Sequence, residues 1–267
     1  MEEKQICVYD AIVMANRQVA LKTFEMELTS NFNVSCIGIG QFICIAPLDT
    51  ACTMSRPFSI FRINCLRNTY SILYKVAGKN TELMSKLAPA QRIKVLGLLG
   101  KPFTLNQFDF KEIWLAAGGI GIAPLYFLYE KLYYPRPKIE IFYGNKTQGD
   151  FVAGLDFGTN FAIIRTTDDG SLGAKGLITE LFEVLLRESE AGKRIVVACG
   201  PVPMMQRVAE ICAQRSVDCW VCLERVMACG LGVCLGCSIK TKSGMKKICA
   251  DGPIFNAEEV IWDELKA

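Results

Sequence analysis

The hydrophobic pattern of the chain changes its period part-way along. Up to about residue 105, apolar positions fall in short β-branched and aromatic runs, among them Phe42-Ile43-Cys44-Ile45, Phe58-Ser59-Ile60-Phe61 and Tyr70-Ser71-Ile72-Leu73-Tyr74-Lys75-Val76. Turn residues separate these runs, a rhythm that predicts an antiparallel β-barrel. From about residue 110 strand-like and helix-like segments alternate. Ile113 to Ala117, Ile139 to Tyr143, Phe161 to Arg165, Ile195 to Ala198 and Cys219 to Leu223 read as strands. Between them Ile178, Leu181, Phe182 and Leu185 recur at helical spacing, as do Met205, Val208, Ala209 and Cys212. A further helix is expected to start at Pro124, because proline is favoured at the first helical position. Such alternation predicts an α/β domain whose parallel sheet is covered by helices on both faces. The stretch from about 224 is rich in Cys and Gly, then basic, and too short for a core of its own, so a bound group must organise it. The expected divisions are therefore 1–105, 106–223 and 224–267.

Composition narrows the function classes. Hydrophobic residues make up 51% and charged residues 21% of the chain, enough to fill a core and to leave apolar surface for a subunit contact, although a well-filled core alone explains the figure. A net charge of +3 with scattered basic residues sets nucleic acid aside as a partner. The most apolar stretch, Ile113 to Leu128, is interrupted by Gly118, Gly119, Gly121 and Pro124 and falls short of the roughly 20 residues that a membrane helix needs. No membrane span is expected. The opening Met1-Glu2-Glu3-Lys4 carries no apolar signal core, and 13 cysteines at this length suit a reducing compartment, which points to the cytoplasm. The chain has no histidine, so it lacks the commonest general acid/base. No catalytic side chain is assigned, and hydride and electron transfer require none.

The chemistry is densest near the C-terminus. Cys229, Cys234, Cys237 and Cys249 follow the spacing C-x4-C-x2-C-x11-C, whose opening is that of plant-type [2Fe-2S] proteins. Three thiolates on one short loop must curl around a small inorganic core, and Gly230, Gly232 and Gly236 are expected to supply the freedom in φ. Their amides are placed to point at the sulfurs and tune the potential. The alternative metal is zinc, though a structural zinc site more often shows two short cysteine hooks. Of the remaining cysteines, Cys7, Cys36, Cys44, Cys52, Cys65, Cys212, Cys219 and Cys222 are expected to be small buried hydrophobes.

Three further motifs suggest nucleotides. Gly118-Gly119-Ile120-Gly121-Ile122-Ala123-Pro124 lies between a strand and a helix, where glycines let a backbone approach a diphosphate held at the helix N-terminus; simple strand-to-helix packing is the other reading. Cys199-Gly200-Pro201 ends a later strand, and strand ends of open sheets are where ligands bind. Arg56-Pro57-Phe58-Ser59 opens a barrel strand with a cation, an aromatic face and a hydroxyl, a set that suits a flavin nucleotide.

Taken with Gly78-Lys79-Asn80-Thr81 and Thr167-Asp168-Asp169-Gly170-Ser171, these motifs resemble the ferredoxin-NADP reductase superfamily over essentially the whole chain. Within it the chain looks like the electron-transfer subunits of NAD-dependent dihydroorotate dehydrogenase. The resemblance implies that Arg56 to Ser59, Leu73, Tyr74, Lys75, Gly78, Asn80 and Thr81 contact FAD in the barrel. It implies that Gly118, Gly119, Ile120, Gly121, Ala123 and Pro124, with Cys199, Gly200 and Pro201, face NAD. It also implies a catalytic partner carrying FMN that oxidises dihydroorotate, in a heterotetramer of two copies of each subunit. The family usually has glycine at Asn80, and asparagine is expected to keep that turn by tolerating left-handed backbone. NAD rather than NADP is expected because Asp168 and Asp169 would accept ribose hydroxyls and repel a 2′-phosphate, a solvated turn being the alternative. Lys240, Lys242, Lys246 and Lys247 flank the cluster and either help dock a partner or form an ordinary solvated hairpin. Two other functions compete: a reductase serving a ferredoxin, hydrogenase or glutamate synthase partner, and a non-catalytic module whose cysteines hold zinc.

Overall fold

The computed structural model describes residues 7–49, 54–132, 137–157, 163–189 and 192–265. Met1 to Lys4, Cys52 and the first two residues of the strand expected over Phe161 to Arg165 lie outside them. Two compact units divide the chain. One holds the residues up to Phe103 together with Glu224–Ser238 and Lys246–Pro253; the other holds Thr104–Leu223, Ile239–Met245 and the residues from Ile254 onward.

The first unit is a closed barrel. β1 (Cys7–Ala20), β2 (Thr23–Thr29), β3 (Phe42–Ile45), β4 (Arg56–Asn64), β5 (Thr69–Lys75) and β6 (Arg92–Leu99) close in the order β1-β2-β5-β4-β3-β6. All neighbouring pairs are antiparallel. Side chains alternate across each strand, so Tyr9, Ala11 and Val13 of β1 and Met26 and Leu28 of β2 share the buried face. A closed barrel leaves no exposed strand edge to pair with another chain. The helix α1 (Lys79–Ser85) follows β5.

The second unit is built from β7 (Glu112–Gly118), α2 (Ile122–Lys131), β8 (Lys138–Asn145), β9 (Ile163–Thr167), β10 (Ala174–Lys175), α3 (Ile178–Glu188), β11 (Arg194–Cys199), α4 (Val202–Gln214) and β12 (Asp218–Cys222). The C-terminal segment adds the hairpin strands β13 (Ser238–Thr241) and β14 (Gly244–Lys247), the short helix α5 (Ile248–Asp251) and β15 (Ile254–Asn256). The sheet order is β10-β9-β8-β7-β11-β12-β15, parallel except for β15, which runs antiparallel along β12. The chain lays β8, β9 and β10 outward on one side of β7, then returns through α3 to place β11 on the other. The strand order therefore reverses between β7 and β11, the place where open α/β sheets bind ligands. The core beside it is aromatic: Trp114, Phe142 and Phe182 pack with ring centroids 4.8 to 5.4 Å apart. Arg194 lies over the Trp114 ring at 4.3 Å and donates to Glu112 Oε2 from Nε at 2.8 Å and Nη2 at 2.6 Å.

Two helices differ from expectation. α2 starts at Ile122, not Pro124; proline fits the first turn because N–H groups there have no intrahelical acceptor. The buried stripe of α3 is Ile178, Phe182 and Leu186, whereas Leu181 and Leu185 are half-buried. The stripe of α4 is as expected, with Met205, Val208, Ala209 and Cys212 buried. Among the described residues no helix is long and apolar enough to cross a membrane.

Candidate functional site

At the switch point of the sheet, β7 delivers Gly118 to Gly121 and β11 delivers Cys199 to Pro201, with Cys199 paired to Ala117. The two turns touch backbone to backbone. A Cβ on Gly200 would lie 2.9 Å from the Gly118 Cα, one on Gly118 would lie 2.6 Å from Met204 Sδ and 2.8 Å from Pro201 Cδ, and one on Gly121 would overlap the Cys199 carbonyl. These three glycines thus serve close packing of the chain on itself. Gly119 is different: its φ is +55°, and a Cβ there would meet nothing within 4 Å. α2 and α4 both open here without a side-chain cap, which leaves first-turn N–H groups to an anion. Open space at Gly119 beside two uncapped helix starts fits a dinucleotide. Ile120 is half-buried, while Ala123 and Pro124 are buried in α2 and position the turn.

Asp168 and Asp169 follow β9 at the same end of the sheet. Asp169 Oδ1 accepts from the Ser171 hydroxyl at 2.6 Å and the Ser171 N–H at 2.9 Å, which holds its carboxyl below the usual range. Both carboxylates are exposed, but Asp169 is thereby spent on its own turn, which makes Asp168 the better placed of the pair for a ligand.

In the barrel, Arg56, Pro57, Phe58 and Ser59 open β4 and are all half-buried. Arg56 Nη1 donates to the Met54 carbonyl at 3.0 Å, which fixes the cation at the strand start. Leu73 and Tyr74 are buried and Lys75 is exposed. Tyr74 stacks on Phe24 at 5.6 Å, meets Phe58 edge-on at 6.1 Å and donates to Asn16 Oδ1 at 2.8 Å. The Tyr74 side chain thus supports the wall around Phe58. Beyond β5, Thr81 Oγ1 accepts from the N–H groups of Ala77 at 3.0 Å and Gly78 at 3.1 Å. Asn80 keeps the turn by another route than expected: it is helical, not left-handed, and its Oδ1 accepts from the Leu48 N–H at 3.0 Å. Its Nδ2 is buried and finds no acceptor among the described residues. A Cβ on Gly78 would meet nothing within 4 Å. Room at Gly78, an unused amide donor, a fixed cation and a half-buried aromatic ring fit a flavin nucleotide.

The cluster loop belongs to this same unit. Cys237 and Cys249 are buried, Cys229 is half-buried and Cys234 is exposed. Cys237 Sγ and Cys249 Sγ lie 3.2 Å apart. Four amides aim at sulfur: Leu231 and Cys234 donate to Cys229 Sγ at 3.3 and 3.4 Å, Gly232 to Cys249 Sγ at 3.1 Å, and Cys249 to Cys237 Sγ at 3.5 Å. The Cys234 and Leu231 amides pull the Cys229 thiol down to about 6. Burial, then the Cys237 thiol, pushes Cys249 up to about 12. Gly230 at φ +69° and Gly232 at φ +76° turn the chain as expected, but the third left-handed residue is Leu235 at φ +62°, not Gly236. Gly236 instead leaves room beside Cys234 Sγ, which is 3.5 Å from where its Cβ would stand. Among the described residues no three metal-binding side chains are gathered to hold one ion. A [2Fe-2S] cluster divides its thiolates between two irons and spans more space, so the sulfurs and the amides aimed at them suit it better than mononuclear zinc.

The loop is seated on the barrel. A Cβ on Gly230 would stand 3.0 Å from Leu99 Cδ1, 3.3 Å from Leu96 Cδ2 and 3.8 Å from Cys44 Sγ, and the main chain of β6 continues into Gly100, whose N–H donates to the Cys249 carbonyl at 3.2 Å. Cys44 also pairs across the sheet with Pro57. β3 therefore has the flavin-candidate strand along one edge and the cluster loop against Cys44.

Not every cysteine is a buried hydrophobe. Cys44, Cys212, Cys219 and Cys222 are, but Cys7 is half-buried and Cys36 and Cys65 are exposed, the last two because they sit in a surface 3-10 turn and in the β4–β5 turn. The lysines divide as well. Lys240 pairs with Glu264 at 3.4 Å, Lys242 is exposed, and Lys247 Nζ donates to the Gly232 carbonyl within the cluster loop at 2.9 Å. Sequence reading grouped Lys247 with its neighbours; its place two residues before Cys249 was the only signal of a separate role. Around the loop, Val226, Leu231, Val233 and Leu235 are exposed, Val233 by 77%.

Residues 224–261 match the family model of the iron-sulfur cluster binding domain of dihydroorotate dehydrogenase B. The chain is 33% identical to the electron transfer subunit of dihydroorotate dehydrogenase B (NAD(+)) from Clostridium acetobutylicum, over 94% of this chain and 96% of the relative. It is 35% identical to that of Clostridium perfringens, over 84% and 87%. A solved structure from a study of flavin-based electron bifurcation, the NADH-dependent reduced ferredoxin-NADP oxidoreductase, superposes with a TM-score of 0.85 at 27% identity, covering 100% of this chain and 94% of its own. A ferredoxin NADP+ reductase from Neisseria gonorrhoeae with bound FAD and NADP shares the fold, with a TM-score of 0.65 at 16% identity over 78% and 91%. With relatives above 30% identity along nearly its full length and a cluster loop of matching design, the chain belongs to the family of dihydroorotate dehydrogenase B electron transfer subunits.

Proposed function

We propose that this chain passes electrons between a dihydroorotate-oxidising FMN subunit and NAD, through a [2Fe-2S] cluster and FAD, in pyrimidine synthesis in the cytoplasm. The observation that carries the proposal is β3, which brings the flavin-candidate strand and the cluster loop to opposite sides of Cys44 within one unit. FAD, when bound, supplies a group that exchanges electron pairs with a nicotinamide and single electrons with an iron-sulfur cluster.

The residues divide the work as follows. Arg56 offers its cation to the FAD diphosphate, Phe58 and Ser59 bound the ring, Pro57 fixes the strand, and Gly78, Asn80 and Thr81 leave room and donors at the start of α1. Leu73, Tyr74 and Lys75 form the wall behind them. Gly118 to Gly121 and Cys199 to Pro201 hold the NAD diphosphate at the switch point, Ala123 and Pro124 brace the turn, and Asp168 accepts the ribose hydroxyls. Cys229, Cys234, Cys237 and Cys249 hold the cluster. In this assignment residues 1–105 bind FAD, 106–223 bind NAD and 224–267 carry the cluster. Exposed Leu231, Val233 and Leu235 around the cluster support a partner that covers it, in the two-plus-two assembly.

A second reading is favoured by the full-length likeness to the NADH-dependent ferredoxin-NADP oxidoreductase: the same wiring serving a different partner. The deciding experiment is dihydroorotate-dependent NAD+ reduction by the complex that co-purifies anaerobically with the tagged chain. Orotate formation with NADH is expected. A complex that oxidises NADH yet is inert to dihydroorotate would keep the cofactors and transfer the chain to the second reading.

A further inference from the structure

Lys247 holds the cluster loop by its ammonium. Nζ donates to the Gly232 carbonyl at 2.9 Å, while the Lys247 N–H donates to Asp251 Oδ2 at 2.7 Å. A Cβ on Gly232 would stand 3.8 Å from Lys247 Nζ and 3.9 Å from its Cε. The Gly232 carbonyl belongs to the peptide unit whose N–H is that of Val233. The preceding amide, Gly232 N–H, goes to Cys249 Sγ at 3.1 Å. Gly232 therefore has its N–H on a ligand cysteine and its carbonyl on Lys247. An ammonium on that carbonyl fixes the loop at a residue whose own amide meets sulfur, and brings a positive charge beside the ligands.

We propose that Lys247 is a positioning residue for the cluster, its charge held on Gly232 inside the cluster loop so that the reduced state is favoured. Reduction adds one electron and no atom to a group that already bears four thiolates. The added negative charge strengthens the pull of a nearby cation and of amides already aimed at sulfur. Lys247 thereby sets the potential at which the cluster accepts an electron, and it keeps the Cys229–Cys234 turn in the shape that presents those amides. This role rests on the cluster assignment above. It differs from a docking role for the lysines, because its effect is present in the chain without a partner.

The test is an anaerobic redox titration of the cluster in the intact chain, read by the EPR signal of its reduced form, for the native chain and for Lys247→Arg, Lys247→Gln and Lys247→Met. Gln keeps a donor and loses the charge; Arg keeps both. At the native midpoint the ratio of reduced to oxidised cluster is expected to fall about tenfold in Gln and Met, a shift of about 59 mV for a one-electron couple, and to stay within about twofold in Arg. Should Met lose the cluster outright, Gln and Arg carry the comparison. Coincident titrations of native, Gln and Arg chains would overturn the proposal, as would Gln matching native while Arg departs. A native chain with no such EPR signal would instead sink the cluster assignment.

Discussion

The cluster loop and the switch-point turns both depend on glycine, yet they use it for different ends. In the cluster loop, Gly230 and Gly232 adopt positive φ so that successive amides converge on sulfur. At the switch point, Gly121 and Gly200 have no side chain because backbone occupies the space, and Gly118 because Met204 and Pro201 do. The first region is shaped around a group it must bind. The second is shaped by the protein against itself and meets its ligand ready-made, with Gly119 alone facing open space. A site of the first kind should lose its order with its ligand, and one of the second kind should keep its shape without it.

The sharpest break of this contrast is Cys249→Ser. The cluster's visible absorption should vanish, and hydrogen exchange should accelerate across Arg225 to Ala250 while the amides of β7, β8 and β11 keep their native protection. Equal loosening of both regions would mean that the cluster organises more than its own loop. Next is Gly121→Ala, whose methyl group would overlap the Cys199 carbonyl; about 3 kcal/mol of stability should be lost in denaturant unfolding, together with NADH oxidation. Gly119→Ala meets no atom and should cost only about 1 kcal/mol for its left-handed backbone, so its loss of NADH affinity should exceed what stability explains. Around the cluster, Val233→Lys should weaken partner association about tenfold, the 1.4 kcal/mol of one lost apolar contact at an interface, with the EPR signal unchanged. Smallest is Asp168→Ser, which should narrow the preference for NADH over NADPH several-fold in steady-state kinetics; a native preference for NADPH would remove the role given to Asp168.

Sequence carried the fold far because hydrophobic patterning is a direct image of it: short β-branched and aromatic runs such as Phe42–Ile45 and Tyr70–Val76, then alternation of strand and helix from Ile113. The cluster was legible because the spacing of four cysteines is itself a geometric statement. What stayed hidden depends on contacts between distant residues. Nothing local marks Gly118 and Gly200 as touching, since β7 and β11 become neighbours only through the return of α3. The left-handed residue near Cys234 is Leu235 and not Gly236, against the usual preference of glycine for that conformation. Asn80 keeps its turn through the Leu48 N–H, which no backbone preference of asparagine reveals. Cys36 and Cys65 are exposed because turns, not residue type, set their burial. Lys247 acts on Gly232 across the loop, and a run of lysines gives no sign of which one reaches a carbonyl.

The central claim is that one chain wires NAD to an iron-sulfur cluster through a flavin. Its most direct test is an anaerobic titration of the purified chain with NADH, following flavin absorption and the EPR signal of the cluster together. The account predicts that flavin absorption bleaches and that the signal of one reduced [2Fe-2S] cluster per chain appears as NADH is added. Bleaching of the flavin with the cluster left oxidised even after full reduction by dithionite generates the signal would contradict it.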